Sequence, residues 1–339
     1  MQEYLEHARI STVRIAYVLS AALAVVAHAA TVPPLRPAGS IPLPAVQGRI
    51  DHMSCDPKGQ RLFVAALGNN TVEVIDLKSG KAANSIKGFH APQGIAYDGA
   101  SNRLIVASRD DGTIKILDGT SFDVITAITK FGDADNVRID AAAKNILAGY
   151  ADGALGFFKL DGKQIAEVKL DGHPESFQLE KKGTRLFVNV PTSKHIAVIN
   201  RESKMLNRTW VLPTDDSANY AMALDEADRR LFVVVRTPPR MLTFDTDSGV
   251  LMDQRDTVGD VDDIFYDGPH RRIYISGGDG RVDVVRQTGP DSYEPFVRIA
   301  TAPGARTSLL VPELNRYFVA APRRGNTPAQ ILVYEVSAK

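Results

Sequence analysis

Arg61-Leu62-Phe63-Val64 sets a pattern that returns as Arg103-Leu104-Ile105-Val106, Asn145-Ile146-Leu147-Ala148, Arg185-Leu186-Phe187-Val188, Arg230-Leu231-Phe232-Val233, Arg272-Ile273-Tyr274-Ile275 and Arg316-Tyr317-Phe318-Val319. Successive first positions lie 42, 42, 40, 45, 42 and 44 residues apart. A period of that size with several short strands per unit marks a ring of four-stranded sheets, because one such sheet cannot bury both faces unless neighbours pack on it. The expected fold is all-β, a seven-bladed β-propeller of four-stranded antiparallel blades.

Around the first copy the punctuation is regular. Asp51 to Cys55 reads as an innermost strand, Asp56-Pro57-Lys58-Gly59 as a turn, and Arg61 to Ala66 as a second strand. Gly68-Asn69-Asn70 turns the chain into Thr71 to Asp76, and Lys78-Ser79-Gly80 turns it into an outer strand around Ala82 to Ile86. Alternation in the strands and Gly, Asn and Asp at the turns are what an antiparallel meander requires. The next unit repeats this order with Gly94 to Asp98, Arg103 to Ala107 and Thr113 to Asp118.

The seventh unit lacks an outer strand, since the chain stops at Lys339 soon after Gln330 to Val336. Gly39-Ser40-Ile41-Pro42-Leu43-Pro44-Ala45, ahead of the first unit, matches that missing strand. Its prolines are tolerable only on an edge, where one side is unpaired. The expected organisation is therefore a signal peptide over 1–29, a linker over 30–37 and the propeller over 38–339, closed by an N-terminal strand in the last blade.

The leader reading rests on Arg9 and Arg14, the apolar run Ile15 to Val26 and the small-x-small site Ala27-His28-Ala29. It implies a periplasmic or secreted protein with no stable membrane insertion after cleavage. Lys+Arg and Asp+Glu both total 40, and the charges of the leader cancel, so wholesale binding to nucleic acid is not expected. Cys55 is the only cysteine and sits in an apolar column of the repeat, so it reads as core filler and excludes an internal disulfide.

The sequence has no Cys-x-x-Cys-His, His-Glu-x-x-His, Gly-x-Ser-x-Gly or P-loop, and its single tryptophan, Trp210, disfavours a quinone cofactor of the kind held by tryptophan-rich propellers. Asn70-Thr71-Val72-Glu73-Val74-Ile75-Asp76, then Ser79-Gly80-Lys81 and Ala91-Pro92-Gln93-Gly94-Ile95, resembles the YVTN-type, YncE-like bacterial seven-bladed β-propellers. That resemblance implies the fold and export; related seven-bladed folds include lactonases and quinoprotein-like enzymes. Blade three departs from the pattern at Asn145, and blade seven at Pro312, which stands where an aspartate usually ends the first strand.

Aligning the units on Asp56, Asp98, Asp140, Glu180, Asp225, Asp267 and Pro312 puts Asp51, Gln93, Asp135, Glu175, Tyr220, Asp262 and Thr307 in one column at the mouth of the central channel. His52, Gly94, Asn136, Ser176, Ala221, Asp263 and Ser308 form the next. The expected ligand-binding set is Asp51, His52, Gln93, Asp135, Asn136, Glu175, Tyr220, Asp262 and Asp263, with Arg306 as an inner fork. Such a ring either lines a solvated channel, paired with Arg49, Arg138 and Arg306, or holds a divalent cation, Ca²⁺ or Mg²⁺, on Asp51, His52, Glu175 and Asp262. His90 and His173 precede inner strands and either face the same mouth or lie in solvated loops. No cofactor beyond that cation is expected.

On the same face, Arg236, Arg240, Arg281, Arg323 and Arg324 form an expected anion-binding rim, the last two on the longest loop of its type, Ala321 to Ala329. Three functions stay open, of which a redox or cofactor-bearing quinoprotein-like enzyme is disfavoured by the single tryptophan and the lack of haem ligation. One is an exported, monomeric binding or scaffold protein for a small molecule or another exported protein. The alternative is a metal-assisted hydrolase or lactonase using the mouth carboxylates.

Overall fold

The computed structural model describes residues 32–338, so the expected signal peptide lies outside the described residues. Seven sheets of four antiparallel strands make up the fold. Blade one runs Met53–Asp56, Arg61–Ala66, Thr71–Asp76 and Lys81–Ile86 from the inside outwards. The inner strands of blades two to seven are Pro92–Asp98, Val137–Asp140, Phe177–Leu179, Ser217–Asp225, Val261–Asp267 and Ser308–Val311. Among the described residues, no helix is long and apolar enough to cross a membrane.

The repeated tetrapeptide is a strand buried on both faces. In blade one, Leu62, Val64 and Ala66 face blade seven, where they join Phe318, Ile331, Ile41 and Leu43. Phe63 and Ala65 face the other way and pack with Ile95, Leu104 and Val106 of blade two. A strand with two apolar neighbours reads as a continuous apolar run instead of an alternation. Each fully buried side chain of this size contributes about 1.5–3 kcal/mol.

The arginine that opens the tetrapeptide is structural. Arg61 holds Asp56 at 2.7 Å across the first turn, and Arg185 holds Glu180 at 2.6 Å in the same way. Both guanidinium groups also lie over the aromatic ring two residues on, Arg61 over Phe63 at 5.3 Å and Arg185 over Phe187 at 5.5 Å. In blades one, two and five the turn into the outer strand is closed by a side-chain acceptor: Asp76 takes the amides of Lys78 and Ser79, Asp118 those of Thr120 and Ser121, and Asp245 those of Asp247 and Ser248. Pro312, without an amide to donate, instead opens the short 3₁₀ turn Pro312–Leu314. Cys55 is half-buried beside the blade one–seven core, and burial pushes its thiol up to about 12.

The ring closes as the sequence implies, with Leu35–Leu43 antiparallel to Ala329–Val336, Ile41 opposite Ile331 and Leu43 opposite Ala329. Pro37 and Pro42 are accommodated because this strand is outermost. One boundary is corrected: the strand begins at Leu35, so residues 35–37 belong to the blade and not to a linker. The Ser337 amide donating to the Pro34 carbonyl at 3.0 Å ties the two ends of the described chain together there.

Candidate functional site at the channel mouth

The inner strands do not begin cleanly, and this irregularity builds the mouth. In blade one the Asp51 amide donates to the Ala65 carbonyl at 2.8 Å and the Ala65 amide to the His52 carbonyl at 3.0 Å, ahead of the regular ladder that starts at Met53. Asp135 and Asn136 pair with Gly149 in the same way, and Glu175 and Ser176 with Asn189. In blades two, five and six the register slips between Pro92 and Ile95, Asn219 and Ala221, and Val261 and Asp263. A bulge of this kind re-aims successive side chains, so two adjacent positions per blade can serve the channel.

The two columns divide accordingly. Gln93, Asp135, Glu175, Tyr220 and Asp262 line a mouth cavity of about 220 Å³ together with Arg49, Arg109, Asp133, His173, Arg236 and Arg306. His52, Asp263 and Ser308 line the channel body, about 450 Å³, whose wall mixes apolar side chains with Ser54, Arg138, Gln178 and Lys181. Asp51 is buried between the levels, its carboxylate 2.7 Å from Arg49. Asn136 is buried, with its amide nitrogen 3.4 Å from Asp135.

His52 is held between two carboxylates, Nδ1 3.4 Å from Asp263 and Nε2 3.6 Å from Asp51. Burial alone would lower its pKa, but the charge and hydrogen bond of Asp263, then the charge of Asp51, push it up to about 10. Asp262 is taken by Arg236, with Arg306 at 3.7 Å and Arg49 at 3.9 Å behind it. Of the expected cation set, Asp51, His52 and Asp262 each lie against an oppositely charged neighbour.

The set that does come together is Asp135, His173 and Glu175, whose ligand atoms lie within 4.8 Å of one another. Burial, then the charge of Asp135, raises the Glu175 carboxyl to about 8. Asp51 is raised to about 6 by burial, against the pull of His52 and Arg49. His173 donates from Nδ1 to the Ala151 carbonyl at 2.6 Å, and its Nε2 lies 3.9 Å from Asp135. Burial would lower this imidazole too, but hydrogen bonds to Asp135 and Ala151 outweigh it and raise the group to about 9. His173 thus faces the mouth, whereas His90 is exposed.

The rim resolves into distinct roles. Arg236 belongs to the mouth cavity and stacks on Tyr220, 3.9 Å from its ring centre. Arg240 is turned to Asp216 at 3.5 Å and Asp256 at 3.4 Å, and Arg281 to Asp283 at 2.9 Å, and neither lines the mouth cavity. Arg323 and Arg324 line a second cavity of about 210 Å³ with Arg49, Arg306, Gly48, Gly304 and Pro322. Arg323 donates to the Pro44 carbonyl at 2.6 Å and Arg324 to the Pro303 carbonyl at 3.3 Å. Among the described residues, neither has a carboxylate partner, and the buried Nε of Arg323 has no acceptor.

These features belong to a β-propeller with a polar channel mouth. No family model matches the chain, and no curated protein matches it. Solved structures match over the whole ring. A chain of Kuenenia stuttgartiensis hydrazine synthase has 13% identity and a TM-score of 0.72, covering 92% of this chain and 99% of its own. A chain of a mitotic checkpoint complex has 14% identity and a TM-score of 0.75, covering 96% and 99% respectively. At such identity the likeness shows the propeller fold alone.

Proposed function

We propose that the protein is an exported binding propeller whose ligand presents an anionic oxygen group, a carboxylate or phosphate, to the arginine pocket at the blade seven edge of the mouth. The observation carrying this reading is the convergence of Arg49, Arg306, Arg323 and Arg324 on one cavity of about 210 Å³. Arg49 and Arg306 are already partly neutralised by Asp51, Asp260 and Asp262. Arg323 and Arg324 supply the uncompensated charge, and the guanidinium fork suits planar and tetrahedral oxyanions alike. The repeat motifs shared with YVTN-type, YncE-like propellers support the exported setting.

Calorimetric titration of the protein with succinate and with inorganic phosphate tests the reading and separates the two oxyanions. Arg323→Ala with Arg324→Ala is expected to leave the fold intact, since both side chains lie on the rim, and to weaken binding about 100-fold, as loss of two hydrogen bonds to a charged group implies. Equal binding by wild type and double variant, or none by either, would contradict it. Export is checked separately by intact mass of periplasmic protein, with a mature N-terminus at Ala30 expected and an uncleaved chain in the cytosol contradicting it.

The grouping of Asp135, His173 and Glu175 favours a second reading, a metal-assisted hydrolase or lactonase. Chelator-sensitive turnover of a lactone probe would support it. Metal-loaded protein that turns over none would remove it.

A further inference from the structure

We propose that the wall of the mouth formed by blades two to four is a binding site for one first-row divalent cation, Zn²⁺ or Mn²⁺, with Asp135, His173 and Glu175 as ligands and Gln93 as a further oxygen donor. The site is independent of the arginine pocket. Three features of the geometry support it.

The first is the grouping itself: two carboxylates and an imidazole with ligand atoms within 4.8 Å of one another. Donors about 2.1 Å from such an ion stand at most about 4.2 Å apart, so binding draws the three inwards by a fraction of an ångström. Second, the His173 ring is oriented as a ligand. A carbonyl can only accept, so the 2.6 Å contact from Nδ1 to Ala151 fixes the proton on Nδ1, and Nε2 is the nitrogen turned to Asp135. An imidazole whose far nitrogen donates to a backbone carbonyl is the usual arrangement behind a metal-bound histidine. Third, Gln93 lines the same cavity, is 5% exposed, and its Oε1 has no hydrogen-bond partner. A buried amide oxygen left without a donor costs stability unless something electropositive reaches it.

The donor set decides the class of ion. Carboxylate and amide oxygens alone suit Ca²⁺ or Mg²⁺, the choice the sequence suggested, but an imidazole nitrogen moves the preference to Zn²⁺ or Mn²⁺. The cavity's arginines have their nearest carboxylate partners elsewhere: Arg49 with Asp51, Arg236 with Asp262, Arg306 with Asp260 and Arg109 with Asp110.

The test is to strip the full chain with a chelator, desalt it, and titrate Zn²⁺, Mn²⁺ and Ca²⁺ by calorimetry, with Co²⁺ as a spectroscopic probe. The expected result is one equivalent of Zn²⁺ or Mn²⁺ bound, Ca²⁺ bound far more weakly, and a visible Co²⁺ band that reports nitrogen ligation. His173→Gln and Glu175→Gln should each weaken binding beyond the about 100-fold that an outer-shell change produces. His173→Gln should also abolish the nitrogen-dependent Co²⁺ band, while Arg323→Ala with Arg324→Ala leaves metal binding unchanged. Should either site variant fail to fold, Gln93→Leu provides the second handle, expected to weaken binding about 10-fold. No metal uptake, or uptake of equal affinity in wild type and the His173 and Glu175 variants, would overturn the proposal.

Discussion

Replacing His52 by leucine is expected to lower the stability of the protein by about 3–4 kcal/mol, the largest effect of any single change at the mouth. The imidazolium separates Asp51 from Asp263, and both carboxylates are buried. Removing the cation leaves two like charges facing one another, and the residual 15% exposure of His52 keeps the cost toward the lower end of what breaking a buried pair costs. Adding Asp263→Asn should recover part of the loss, because it removes one of the stranded charges. The same residue gives a pH signature. Its folded-state pKa, about 10, lies above the ordinary 6.5, so the native state holds a proton that the unfolded state has released in between. Its contribution is complete below about 6.5 and disappears as the pH rises through 10, which makes stability fall on the alkaline side. Urea unfolding at pH 7 and pH 10 should show that fall in wild type and a smaller one in His52→Leu. His173, raised to about 9, contributes with the same sign and remains in the variant. A loss below about 1 kcal/mol, or an unaltered pH slope, would show that water in the channel already screens the carboxylates.

Gly94→Ala should cost about 3 kcal/mol and disturb the acidic wall at the same time. A methyl group at this position would lie 2.0 Å from the carbonyl oxygen of Asp135 and 3.0 Å from the amide nitrogen of Val137. Both are backbone atoms, so no side chain can rotate away, and the inner strands of blades two and three must move apart. That movement displaces Asp135, so the variant should lose divalent-cation affinity as well as stability. Gly132→Ala is the control: nothing lies within 4 Å of a methyl group there, and its effect should stay within about 0.5 kcal/mol. Thermal or chemical unfolding of both variants decides the matter, and equal stabilities would contradict the close approach of the two strands.

Much of the architecture was legible because one physical constraint repeats seven times. Leu62, Phe63 and Val64 are apolar on both faces since a blade has a neighbour on each side, and Asp76, Asp118 and Asp245 recur because the turn that follows them needs an acceptor for two amides. The mouth was legible for the same reason. Asp51, Gln93, Asp135, Glu175, Tyr220 and Asp262 all stand five residues ahead of the acidic residue that ends the inner strand or, at Glu180, directly follows it, at the irregularity that begins the strand. Which groups are already satisfied was not legible. Asp262 receives Arg236 of blade five, Arg49 of blade one and Arg306 of blade seven, and His52 receives Asp263 of blade six, pairings that depend on how distant segments converge across the ring. His173 precedes its strand in a connector that has no fixed register in the repeat, so its position gave no signal beyond proximity to Pro174-Glu175. The rim arginines differ because loop shape, not repeat position, directs them: Arg281 folds back on Asp283, while Arg323 and Arg324 reach the carbonyls of Pro44 and Pro303.

Whether the mouth takes a ligand through its arginine pocket is tested by following the backbone amide resonances of the protein while succinate is added. Binding there is expected to give saturable shifts concentrated at Gly48, Arg49, Gly304, Arg306, Arg323 and Arg324, which enclose the pocket, with the outer strands unmoved. Shifts scattered over the outer strands, or none up to millimolar succinate and phosphate, would contradict it.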